Sequence, residues 1–117
     1  VAFSFAVSAD PVSGGPFSAF LANVDSVSAP DANTAVAWFK RRLPTQLFDL
    51  TYYLYVMPEH LLRAVPRDRL AGAPFARQPV GSGRFRFAAW EKGQRLELAA
   101  DAGNYRGRPL LDRVVWS

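Results

Sequence analysis

The sequence predicts an α+β chain made of antiparallel hairpins joined by short helices. Three observations carry that expectation. Runs rich in valine and aromatics, 24–29 and 34–40, flank Pro30-Asp31-Ala32-Asn33, which is strong turn chemistry. A second pair of runs, 84–90 and 95–100, alternates with period two around Glu91-Lys92-Gly93-Gln94. Between the pairs, Pro44, Pro58 and Pro66 cut an apolar stretch into pieces suited to brief helices.

Taken in order, the opening segment through Ala9 carries Phe3, Phe5 and Val7. Alternation alone reads as a strand, but the run is short enough that a helix end is equally open. Asp10-Pro11 stops it, and Ser13-Gly14-Gly15-Pro16 reads as loop. A short helix follows with Phe17, Phe20 and Leu21 on one face. The first hairpin has its tip at Pro30 to Asn33. Pro44 suits a first helical turn, leading into Leu47, Phe48 and Leu50. Residues 52–57 look extended and buried. Pro58 opens a helix over 59–65, with Glu59 well placed against the helix dipole, and Pro66 ends it. Residues 71–83 form a long loop holding Gly72, Pro74, Pro79, Gly81 and Gly83, and loops of that length tend to be functional. In the second hairpin Phe85, Phe87 and Ala89 share one face with Leu96, Leu98 and Ala100, and Gly93 supplies a positive φ. Residues 111–116 read as a last strand that stops without a turn. The apolar start without Met or a processing site, and that abrupt end, both read as fragment boundaries.

With 117 residues, half of them hydrophobic, the chain is the size of one domain and can bury a core. It has no cysteine, which excludes disulfides, thiolate metal sites and a cysteine nucleophile. No apolar run is long enough to span a bilayer. The net charge is +4, but arginines such as Arg41, Arg63, Arg84 and Arg106 are scattered and interrupted by carboxylates. That distribution reads as a solvated surface before it reads as a nucleic-acid footprint.

Few residues suggest chemistry. His60 is the one histidine, and no second ligand stands at a useful spacing, so no metal site is expected. Ser82 in Gly81-Ser82-Gly83 is half of a nucleophile elbow, with Val80 and Arg84 where the outer glycines belong. No catalytic residue is expected. The backbone amides of that loop could hold a ligand's polar atoms, or the loop could be a tight turn into the next strand. Phosphate-cradling glycine loops are absent. Trp38, Trp90 and Trp116 all fall in predicted strands, where packing is the default reading.

Several segments, in order, resemble the bacterial extracellular solute-binding protein family 5, the peptide, nickel and opine class. They are the opening Val1-Ala2-Phe3-Ser4-Phe5 running to Asp10-Pro11; Val24-Asp25-Ser26-Val27 with Ala29-Pro30-Asp31 and Thr34-Ala35-Val36; Met57-Pro58-Glu59-His60-Leu61-Leu62; Pro74-Phe75 with Pro79-Val80-Gly81-Ser82-Gly83; Trp90-Glu91-Lys92-Gly93; and Tyr105-Arg106-Gly107-Arg108-Pro109 with Leu111-Asp112-Arg113-Val114. The chain departs from the family pattern at Arg84, at Ala102-Gly103-Asn104 and at Tyr105.

The resemblance implies a fragment, over 1–117, of lobe I of a type II periplasmic-binding-protein-like fold: its smaller subdomain running into the central sheet, with hinge and second lobe absent. It implies non-catalytic binding of a peptide or similar small solute by closure of two lobes, delivery to an ABC permease in the membrane, no cofactor, and a periplasmic or extracellular location, free or lipid-anchored. It places Phe17 where relatives often have a cleft-facing aromatic, against core packing as the plain alternative, and Val80, Gly81, Ser82 and Gly83 near the cleft mouth. Open sheet edges could pair with a second copy. The competing classes are a basic nucleic-acid-binding module and a small hydrolase domain.

Overall fold

A computed structural model describes residues 1–13 and 15–117. Gly14, part of the expected loop 13–16, lies outside the described residues. The chain divides into two compact units, Val1–Ala71 and Gly72–Ser117.

In the first unit the opening segment is a helix, α1 (Ala2–Ser8). The buried residues Ser4, Phe5 and Val7 form an arc rather than an alternation. The backbone satisfies itself internally, with the Phe5 amide on the Val1 carbonyl at 3.0 Å and the Ala9 amide on the Phe5 carbonyl at 2.8 Å. Asp10 ends it, its Oδ1 accepting from the Val12 amide at 2.9 Å. A 3-10 turn, Ser18–Leu21, then delivers Leu21 into the core, where it is 2% exposed.

The first hairpin pairs β1 (Val24–Asp31) with β2 (Thr34–Phe39). Its tip is tighter than expected. Pro30 and Asp31 lie in the strand, Asp31 pairs with Thr34, and Ala32-Asn33 alone make the turn. The Asp31 carboxylate closes it by accepting from the Asn33 amide at 2.8 Å. At the open end, the Lys40 amide reaches the Asn23 carbonyl at 2.9 Å, and Lys40 Nζ the Ala22 carbonyl at 2.8 Å.

Helix α2 (Gln46–Tyr53) starts after Pro44, and the Gln46 side chain accepts from the Leu43 amide at 3.1 Å. It takes in Tyr52 and Tyr53, so only 54–57 of the expected extended run stays outside the helix. That run forms no strand, and Tyr55 and Val56 are well exposed. Ser4 of α1 fastens it: its Oγ accepts from the Met57 amide at 2.8 Å and faces the Met57 carbonyl at 3.4 Å. Helix α3 (Glu59–Leu62) is one turn long, shorter than expected, and buries Leu62. Phe5, Leu21 and Val24 form the core, with Val27, Phe39, Leu50, Tyr53 and Leu54 packed against it. Each such buried side chain is worth about 1.5–3 kcal/mol.

The second unit holds an antiparallel sheet in the order β3 (Phe85–Glu91), β4 (Arg95–Ala100), β5 (Arg113–Trp116). Gly93 turns the hairpin at φ +77°, the left-handed conformation expected of it. A register shift between Phe87 and Ala89 changes the expected facing. Trp90, not Ala89, stands opposite Leu96, and Ala89 stands opposite Glu97. A bulge accommodates the extra residue, as bulges do by bending one strand. One face thus carries Phe85, Phe87, Trp90, Leu96, Leu98, Val114 and Trp116. The other carries the Arg95–Glu91 pair at 2.8 Å and Arg113 beside Glu97 at 3.4 Å. The expected long loop over 71–83 is broken by 3-10 turns, Arg67–Gly72 and Pro74–Ala76.

Candidate functional site

Phe17 caps the 3-10 turn at Ser18–Leu21 and is half-buried. Its ring lies between those of Tyr53 and Tyr55, with centroids 5.6 and 5.5 Å away, and it is near-parallel to Tyr55 at 26°. Phe20 stacks on Tyr53 at 4.0 Å, and Phe48 and Tyr52 continue the group along α2. Tyr53 reaches Phe17 because it ends α2, and Tyr55 because the chain beyond is extended and pinned through Met57. Phe17 is therefore neither fully core nor free: it packs on two tyrosines and, with them, borders a cavity.

That cavity has a volume of about 300 Å3 and is lined from the first unit alone, by residues of α1, the 13–17 segment, 53–57 and Leu70-Ala71. Ser13 shapes its rim, its Oγ bonding the Val7 carbonyl at 2.6 Å and the Asp10 carbonyl at 2.8 Å.

Val80, Gly81, Ser82 and Gly83 belong to the second unit and form an exposed irregular loop of their own. Asn104 Nδ2 donates to the Ser82 and Gly83 carbonyls at 3.1 and 2.9 Å, and Arg84 Nη2 to the Arg106 carbonyl at 2.9 Å. Two of the departures from the family pattern, Arg84 and Asn104, thus hold this loop. The carbonyls are occupied, while the amides of 80–83 meet no acceptor among the described residues. Neither Gly81 nor Gly83 has a positive φ, so the loop is not an alternating-handed anion nest.

Other candidates are plain. His60 is exposed on α3, and no cluster of three acidic, histidine or cysteine side chains occurs among the described residues. Four arginines pair with carboxylates, at Arg67–Asp10, Arg95–Glu91, Arg108–Asp112 and Arg113–Glu97. The tryptophans lie in strands as expected, but Trp38, Trp90 and Trp116 are 61%, 50% and 55% exposed. Sequence reasoning missed Tyr53 and Tyr55 as partners of Phe17. The spacing of two between them is the available signal, but it is equally compatible with one continuous extended run. It also missed Ser4, which nothing in its neighbourhood distinguishes.

Residues 1–117 match the bacterial extracellular solute-binding proteins, family 5 Middle, and the chain belongs to that family. A Brucella ovis protein named for peptide binding in an ABC transporter is 34% identical over 114 residues, 97% of this chain and 21% of its own length. The oligopeptide-binding protein AppA of Bacillus subtilis, solved in complex with a nonapeptide, superposes with a TM-score of 0.87 at 26% identity, over 97% of this chain and 23% of that one. MoaA from A. tumefaciens R10, solved with mannopinic acid, gives a TM-score of 0.81 at 30% identity, over 97% and 22%. The chain thus has a periplasmic-binding-protein-like fold and spans 21% of the length of the Brucella relatives it matches. No helix among the described residues is long and apolar enough to cross a membrane.

Proposed function

We propose that this chain forms part of the first lobe of a two-lobed solute-binding protein that holds a peptide or similar small solute outside the cytoplasmic membrane. The loaded protein passes its solute to an ABC permease and does no chemistry of its own. The observation that carries this reading is Phe17, a half-buried ring bordering an apolar cavity and backed by Tyr53 and Tyr55. Aromatics held rigid by neighbours offer a ligand contact area at little entropic cost. The family and the peptide-bound relative support the same reading. The exposed loop at 80–83, whose amides meet no acceptor among the described residues and whose Ser82 and Gly83 carbonyls are tied to Asn104, offers hydrogen-bond donors suited to a peptide's carbonyl groups. Closure of the second lobe would then be driven by contacts made only in the closed state.

The test is Phe17→Ala in the full-length protein, titrated calorimetrically with peptides. The expected result is affinity lowered about tenfold, an energy of about 1.4 kcal/mol, with the melting temperature little changed. Equal affinity at equal stability would remove Phe17 from the site.

A further inference from the structure

The cavity beside Phe17 has an unusual chemical uniformity. Val7, Pro16, Phe17, Tyr53, Tyr55, Met57 and Leu70 give it an apolar wall, and no Asp, Glu, Lys, Arg or His is among its lining residues. Its side-chain polar atoms are the hydroxyls of Ser8, Ser13, Tyr53 and Tyr55. The Ser13 hydroxyl is already engaged with the carbonyls of Val7 and Asp10. A charged group entering here would shed its water and meet no opposite charge, which is costly. An apolar group would shed little and would displace water from a space of about 300 Å3. That space is about ten times water's share of liquid volume.

Size narrows the occupant further. Pockets for whole small ligands run from about 300 to 1,000 Å3, and this one sits at the bottom of that range. It suits one large side chain rather than a whole peptide. The rings of Phe17 and Tyr55, near-parallel with centroids 5.5 Å apart, present faces and edges that favour aliphatic and aromatic contact.

We propose that this cavity is a side-chain pocket which takes an aliphatic or aromatic residue of a peptide ligand, with Tyr55 and Tyr53 setting its preference for uncharged side chains. The proposal rests on the peptide-binding reading above and adds to it a selectivity, the position that imposes it and its chemical sign. Tyr55 is the residue to change, because it is 60% exposed and its replacement leaves the core of Phe5, Leu21 and Val24 intact.

The experiment uses the full-length protein and tri-alanine peptides carrying Phe, Leu, Asp or Lys at each position in turn, titrated calorimetrically. At one position the Phe and Leu peptides should bind at least about tenfold more tightly than the Asp and Lys peptides. Tyr55→Ala should shrink that ratio towards one. Tyr55→Lys should raise the Asp peptide above the Lys peptide, a reversal that a purely structural role for Tyr55 would not produce. If the wild type binds Asp and Phe peptides equally at every position, or if the preference survives both Tyr55 variants, the pocket assignment falls while peptide binding stands. If the wild type binds none of these peptides, the peptide reading falls and takes the pocket with it.

Discussion

The two units solve the problem of burying apolar surface differently. Val1–Ala71 gathers residues distant in sequence, Phe5, Leu21 and Val24, into a common core, with Leu21 at 2% and Val24 at 4% exposure. Gly72–Ser117 instead lays its apolar side chains along one face of a three-stranded sheet. There Trp90 and Trp116 remain half exposed, and Phe85, Phe87, Leu96 and Leu98 are only partly covered. Cross-strand pairing holds the second unit, whereas packing between elements holds the first. A sheet's cross-strand side-chain pairs contribute even where its face is only half covered. A helix as short as α1 is stable only through what it packs against.

The sharpest way to break this contrast is to remove one side chain from each region. Leu21→Ala takes a fully enclosed side chain and leaves a cavity, so it should cost about 2–5 kcal/mol. Phe87→Ala removes a larger side chain from a half-open face, and should cost less than about 2 kcal/mol because the lost area was never fully withdrawn from water. Urea unfolding of this chain, followed by amide signals in each region, reads both. Equal losses would mean that the sheet face is as much a core as the first unit's.

A smaller effect concerns how the first unit holds its extended link. Ser4 is fully buried, and its hydroxyl is the acceptor for the Met57 amide at 2.8 Å. Ser4→Ala leaves that amide without its partner and should destabilise by about 1–3 kcal/mol. Ser8→Ala, on the same helix but without a side-chain bond among the described residues, should change stability little. Matching losses in the two variants would show that the Ser4–Met57 contact adds nothing specific. Because Met57 lies two residues beyond Tyr55, Ser4→Ala also tests whether the aromatic wall is positioned from α1.

What the sequence disclosed follows the range over which its signals act. Both hairpins were legible, since turn residues and alternation act within a few positions, and Gly93 did adopt the positive φ its turn demanded. The bulge after Phe87 was not, because alternation continues smoothly through Ala89 and only the ladder with β4 shows that Trp90 faces Leu96. Residues 52–57 misled for a physical reason. Apolar character does not imply burial here: Tyr52, Tyr55 and Val56 are more than half exposed, and the helix simply continues through Tyr53. Phe17 could be singled out from its resemblance to relatives. Its tyrosine neighbours could not, because their approach depends on where α2 stops and on Ser4 binding a residue 53 positions away.

The smallest expected effect lies at the tip of the first hairpin, and it probes local rather than packed stability. The Asn33 amide, bonded to the Asp31 carboxylate at 2.8 Å, holds that carboxyl below its ordinary value of 3.8, with Thr34 adding to the effect. A carboxyl lowered by folding stabilises the folded turn in its ionised form. Its contribution is therefore complete above the unfolded value and disappears as the pH falls through the lowered one. The Asn33 amide resonance, followed against pH, should titrate with a midpoint under 3.8. Asp31→Asn keeps an acceptor in place but should abolish that titration. Since the tip is open to solvent, salt should weaken the effect and the core of the first unit should not register it. A midpoint at or above the ordinary value would mean that the turn holds its shape without the carboxylate. Pairing along β1 and β2 would then be sufficient to close this hairpin.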